Sequence, residues 1–246
     1  MNDAIEPEGL NDGGRAPASD TRRNLYAYYL NFFVVALVGF LINPLLLGAL
    51  GPVVFGVWKS LQRYLDFATV ADGRASQALK WIVASRTTLA DQERRRDIGA
   101  AIIVWIRWLP AAALVAGGVT VAIPFLIKGI PHDIRPDVYA TAAILAANTV
   151  LAGLLSLPDS VLSGINQGYK SMLVTTVAFI LCNLAMLGVV YSGRPLWTLA
   201  VVVFLTAVDN DAVTMWVARR SLPWWGLSPV SYTHLRAHET VLDLVC

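Results

Sequence analysis

From Leu25 to Val217 the chain is a succession of apolar runs parted by short breaks rich in Gly, Pro or charge. Each run is close to the ~20 residues that a helix needs to cross a bilayer. Helices on the surface of a soluble domain carry a polar face that recurs about every 3.6 residues, and these runs lack one. Composition agrees: 56% of the 246 residues are hydrophobic and 15% are charged, against about a quarter charged in soluble domains. The pattern predicts an all-α, polytopic membrane protein. Its six-transmembrane-helix bundle is expected near residues 25–49, 52–72, 98–127, 137–158, 171–191 and 196–218. The first run is too long for a signal-peptide core and has no small-residue cleavage site behind it, so it reads as a retained span.

Four segments follow from this reading. Residues 1–23 form a disordered cytoplasmic tail without apolar periodicity, 24–222 the bundle, 223–229 a cytoplasmic interfacial segment, and 230–246 a stretch of foreign composition. Lys and Arg set the orientation. One set of ends carries Arg15, Arg22, Arg23, Arg74, Lys80, Arg86, Arg94 to Arg96, Arg107, Lys170, Arg219 and Arg220, whereas the other carries only Lys128, Arg135 and Arg194. The chain is therefore expected in the cell inner (cytoplasmic) membrane with its N-terminus cytoplasmic. Ala75–Ser85 has helical spacing and one apolar side, which predicts an amphipathic helix at the membrane surface or a continuation of the second span. The Gln92–Asp97 charge run and Pro158–Lys170 read as connectors.

The second span breaks the apolar rule. It carries Lys59, Arg63 and Asp66 at spacings of four and three, so the three share one helical face. At a rise of about 1.5 Å per residue, Arg63 lies ~16 Å beyond the Pro52 end and cannot easily reach water along its own helix. Charge inside a bilayer costs several kcal/mol unless it faces protein, water or a partner. Two readings stand side by side: Arg63 and Asp66 form a neutral pair that fixes helix packing, or the surplus cation lines a cavity and receives an anion. Asn31 and Asn43, which interrupt the first span beside Pro44, read as polar glue between helices or as further cavity lining.

Other chemistries find little footing. A net charge of +2 gives no reason to expect nucleic acid as a partner. Cys182 lies mid-span and Cys246 is last, so no disulfide or cysteine metal framework is expected within one chain. No metal site, cofactor or catalytic set is expected, and the chain is read as a non-enzyme. His132, Asp133 and Asp137 form only a short loop. Val230–Cys246 resembles a translated transposase-type sequencing adapter: the string GTC TCT TAT ACA CAT CTC CGA GCC CAC GAG encodes Val230 through Glu239. His234, His238 and Glu239 therefore carry no metal or acid/base expectation, and the native gene is expected to continue past Ser228.

A family resemblance enters at Leu50–Gly56. The string LGPVVFG, with Pro44 ahead of it, resembles the L-G-x-x-x-[FY]-G element after the first span of bacterial oligosaccharide flippases. These are polysaccharide biosynthesis membrane proteins of the exporter superfamily that also holds multidrug and toxin extruders. Asp72–Gly73 falls where that family places a D-x-G turn, although no residue separates the two here. The following ALKWIVA and GINQGYK at Gly164–Lys170 also look like family elements, the latter like a G-x-x-[RQ]-[YF] connector. The resemblance covers roughly Leu25–Pro223. It implies two bundles around a central cavity and alternating-access translocation of a polyprenyl-pyrophosphate-linked oligosaccharide. This chain would be the first half of the two-bundle transporter, its partners being that substrate, membrane lipid and the missing C-terminal half. Lys59, Gln62 and Arg63 occupy a face commonly less charged in the family. A multidrug or cation antiporter of the same superfamily is the alternative, and a membrane glycosyltransferase a further one.

Overall fold

The computed structural model describes residues 18–67, 69, 74–85, 90–127 and 130–227. Asp72–Gly73 and Val230–Cys246 lie outside the described residues. Every regular element longer than one turn among them is helical: α1 (Ala18–Asp66), α2 (Ala75–Ser85), α3 (Asp91–Leu126), α4 (Arg135–Leu155), α5 (Leu157–Gly164), α6 (Gly168–Tyr191) and α7 (Trp197–Ser221). Five spans are long and apolar enough to cross a membrane: Asp20–Asp66, Asp91–Ile123, Arg135–Gly164, Gly168–Tyr191 and Trp197–Ser221. Their flanks expose large apolar side chains, with Phe125 at 82%, Phe40 at 77% and Leu114 at 76% exposure. Water would penalise such a belt, whereas lipid tails accept it.

Five rather than six such stretches are present because the helices at 25–49 and 52–66 follow one another across a kink and fall within one apolar stretch, Asp20–Asp66. They belong to α1, which begins at Ala18 and breaks at Gly51, where the backbone takes φ 74° and ψ 163°. The limb beyond the break, residues 52–66, is ~22 Å long at the helical rise, short of the ~30 Å hydrocarbon core. Two further boundaries move. The Gln92–Asp97 charge run, expected as a loop, is the first part of α3, and most of the connector at Pro158–Lys170 is helical in α5 and the start of α6. In both places charged or turn-forming residues occupy helix ends, where unpaired backbone groups already meet polar partners.

Packing follows from small and polar residues at the contacts. α1 and α6 run parallel in a fixed register. The Asn24 side chain accepts from the Tyr169 N–H at 2.7 Å, and the Asn31 side-chain amide meets the Thr176 hydroxyl at 2.9 Å, each pair 145 residues apart. Asn24 also donates to the Asn166 carbonyl at 2.8 Å, and Asn166 sits at φ 63°, a left-handed conformation that asparagine tolerates. Lys170 then ties the start of α6 to the end of α7 through Ser221 at 3.0 Å. The GINQGYK connector thus serves as a three-way structural clamp.

Two apolar clusters close the ends of the bundle. One joins Ile42, Leu46, Trp58 and Leu61 of α1 to Ile123, Val138, Val190 and Leu199. The other joins Leu79 and Val83 of α2 to Ile98, Val161, Leu162, Ala218 and Trp224. The limb beyond Gly51 thus belongs to one cluster and α2 to the other. α2 docks on α5 at Gly164, where an added Cβ would stand 2.8 Å from the Lys80 carbonyl and 3.0 Å from the Val83 Cβ.

Gly51 generates the first prediction. Its φ/ψ pair lies in a region reached almost solely by glycine, at a cost to other residues of about 1–3 kcal/mol, and no atom lies within 4 Å of a Cβ built there. The Gly51→Ala variant is expected to lose about that much stability through its backbone alone, read by thermal unfolding in detergent. Gly48→Ala, with equally open space but a helical backbone, is expected to be neutral or slightly stabilising. Equal behaviour of the two variants would remove Gly51 as the origin of the break.

Candidate functional site

The limb beyond Gly51 brings its charged face against α4 and α7. Lys59, Gln62, Arg63, Leu65 and Asp66 line a cleft of about 330 Å³ with Leu145, Asn148 and Thr149 of α4 and Val203 of α7. The seat of this limb is apolar: Trp58 and Leu61 are fully buried and Leu65 nearly so. Burial of the 57, 58, 61, 65 face turns the 59, 62, 63, 66 face outward, into the cleft. At its far end the Tyr64 hydroxyl reaches the Leu126 carbonyl at 3.5 Å, near the end of α3.

Charge in the cleft is not cancelled internally. Among the described residues no ion pair joins Arg63 to Asp66, and both side chains are exposed. Of the two readings of this face, the neutral Arg63–Asp66 pair is not formed. A spacing of three permits contact, but each group faces open space, where an exposed pair gains little over solvation. Lys59 is half-buried, its ammonium 5.7 Å from the centroid of the Phe55 ring one turn earlier, a cation–π distance. Two cations and one carboxylate thus share the cleft, with a surplus of one positive charge.

Of the sequence-derived site residues, Lys59, Arg63 and Asp66 come together and the two asparagines do not. Asn31 is engaged by Thr176 in the α1–α6 contact, as the polar-glue reading expected. Asn43 is exposed on α1 and does not line the cleft. Asn148 and Thr149 escaped sequence reasoning. Their signal was a polar pair inside the fourth apolar run, faint because such residues usually serve helix contacts. Thr149 donates to the Leu145 carbonyl at 3.0 Å, whereas the Asn148 amide is left to face the cleft. An array of ammonium, guanidinium and amide donors around one open space can bind an anion with several oxygens.

These placements separate packing residues from cleft residues in a measurable way. Arg63→Ala and Asp66→Asn are expected to change unfolding stability by no more than ~0.5 kcal/mol, as for exposed positions. Trp58→Ala, one residue from Lys59, is expected to cost ~3–5 kcal/mol. Denaturation of the purified variants in one detergent checks the ordering, and a large loss for Arg63→Ala would restore it to a packing role. Comparison with protein-family models, with curated proteins and with solved structures found no match for this chain.

Proposed function

We propose that this chain is the first helical bundle of a flippase that moves a lipid-linked oligosaccharide across the cytoplasmic membrane. The supporting observation is the cleft of Lys59, Gln62, Arg63, Asp66, Asn148 and Thr149 among helices of membrane-crossing length. A pyrophosphate headgroup is the part of such a substrate least tolerable in hydrocarbon. A guanidinium offers it a bidentate fork, an ammonium adds a point charge, and the amides fix orientation. Asp66 restrains the surplus to one charge, so the anion is held without being trapped.

In this reading the crossing that contains Lys59 is deliberately incomplete. Residues 52–66 are too short to span, and α2 completes the passage at the other apolar cluster. Broken crossings are characteristic of transporter sites, because irregular backbone and buried charge are tolerated where they line a cavity. The Lys and Arg distribution places the α2 end at the cytoplasm. A second bundle would cover the side on which Arg63 and Asp66 are exposed, and translocation would proceed by alternating access between the two.

The test uses the purified chain in nanodiscs and a fluorescent polyprenyl pyrophosphate. Lys59→Ala and Arg63→Ala are each expected to weaken binding about tenfold or more, the scale of a charge-assisted hydrogen bond of ~1.5–3 kcal/mol. Arg63→Lys should recover part of the loss. Asn43→Ala, away from the cleft, is expected to bind as the parent does. Undiminished binding by both alanine variants would end the proposal.

A further inference from the structure

A second polar cluster stands apart from the Lys59 cleft, on α7. There Asn210, Asp211 and Thr214 follow Thr206 and Asp209 in a mainly apolar helix. Positions i, i+1 and i+4 fall within about 100° of one another on a helix, with the last between the first two. Thr214 is 1% exposed, and its hydroxyl oxygen has no hydrogen-bond partner among the described residues. The Asn210 Oδ1 is likewise buried without a partner. The Asn210 amide nitrogen turns to Asp211, donating to its carboxylate at 3.1 Å. Hydroxyls elsewhere in these helices are returned to the carbonyl one turn back, as at Thr141, Thr149, Thr176 and Thr206. Thr214 departs from that pattern.

We propose that Asp211, Asn210 and Thr214 form a binding site for a small hard monovalent cation, of which Na⁺ is the probe. The donors are all oxygens, the type that hard cations select. One carboxylate with two neutral oxygens balances a single positive charge. A bound cation satisfies both orphaned oxygens and neutralises the carboxylate, the three demands left open here. Access exists: Asp211 also lines a cleft of about 730 Å³ between α3, the α4–α5 corner and α7, with Arg219 two turns further along the same face. Among the described residues Arg219 forms no ion pair with Asp211. The site does not rest on the flippase reading, since it is built from other residues.

The experiment is thermal unfolding of the purified chain in detergent, titrated with NaCl against choline chloride at constant ionic strength. A ligand of the folded state raises the melting temperature as its concentration passes its dissociation constant. Na⁺ is expected to produce a saturable rise that choline does not. Asp211→Asn and the near-isosteric Thr214→Val are each expected to shift the Na⁺ midpoint about tenfold or more upward. Asp209→Asn, exposed on the other side of α7, is expected to leave it unchanged. Thr214→Val keeps the test decisive should Asp211→Asn fail to fold. Equal responses to Na⁺ and choline, or a Na⁺ response that survives Thr214→Val, would overturn the site.

Discussion

Polar groups among apolar helices must find partners inside the protein, and this one demand sorts the molecule. Most meet it locally. Threonine hydroxyls at 120, 141, 149, 176 and 206 return to the carbonyl one turn back, and the Asn183 amide does the same. Such back-bonds cost the helix little and leave the outer face apolar. Others meet the demand between helices, as Asn24 and Asn31 do along α6. Groups that meet it neither way concentrate at the Lys59 cleft and at the Asn210–Thr214 turn of α7. The division between structural and functional polarity therefore follows from which partners are already taken.

The break at Gly51 translates that demand into architecture. A straight continuation of α1 would carry Lys59 and Arg63 away from the bundle. The glycine backbone lets the limb turn back, so that Trp58 and Leu61 enter the apolar cluster while the charged face meets α4 and α7. The seat is strong because it is aromatic and fully buried, and the charged face is free to act because it contributes little to that seat. At the opposite end, Gly164 allows α2 to close on α5 within van der Waals contact. Two glycines thus fix where the charged limb begins and where α2 docks on α5.

Much of this was legible in the sequence. Apolar run length marked the fourth, fifth and sixth runs, which appear as Arg135–Gly164, Gly168–Tyr191 and Trp197–Ser221. The spacing of Lys59, Arg63 and Asp66 placed them on one face, and the amphipathic Ala75–Ser85 is a helix. The illegible parts were those that depend on partners distant in the chain. The break between the first two runs falls at Gly51, in the Gly-Pro pair that parts them, but run length did not show that the second helix ends at Asp66. The alternative partners of Asn31 were indistinguishable until α6 lay alongside it. Arg63 and Asp66 had the spacing of a pair but not the surroundings of one, and Asn148 became a cleft residue only once the 52–66 limb was seated against α4.

The central claim is that the 52–66 limb carries its charged face into a water-accessible cleft while the flanks of the same helices face lipid. Thiol accessibility in intact membranes measures this directly. In a background with Cys182 and Cys246 replaced by serine, cysteines at Lys59, Arg63 and Asn148 should react with a membrane-impermeant charged maleimide applied to opened vesicles, and cysteines at Phe40 and Phe125 should not. Labelling at Phe40 and Phe125 with protection at Lys59, Arg63 and Asn148 would contradict the account.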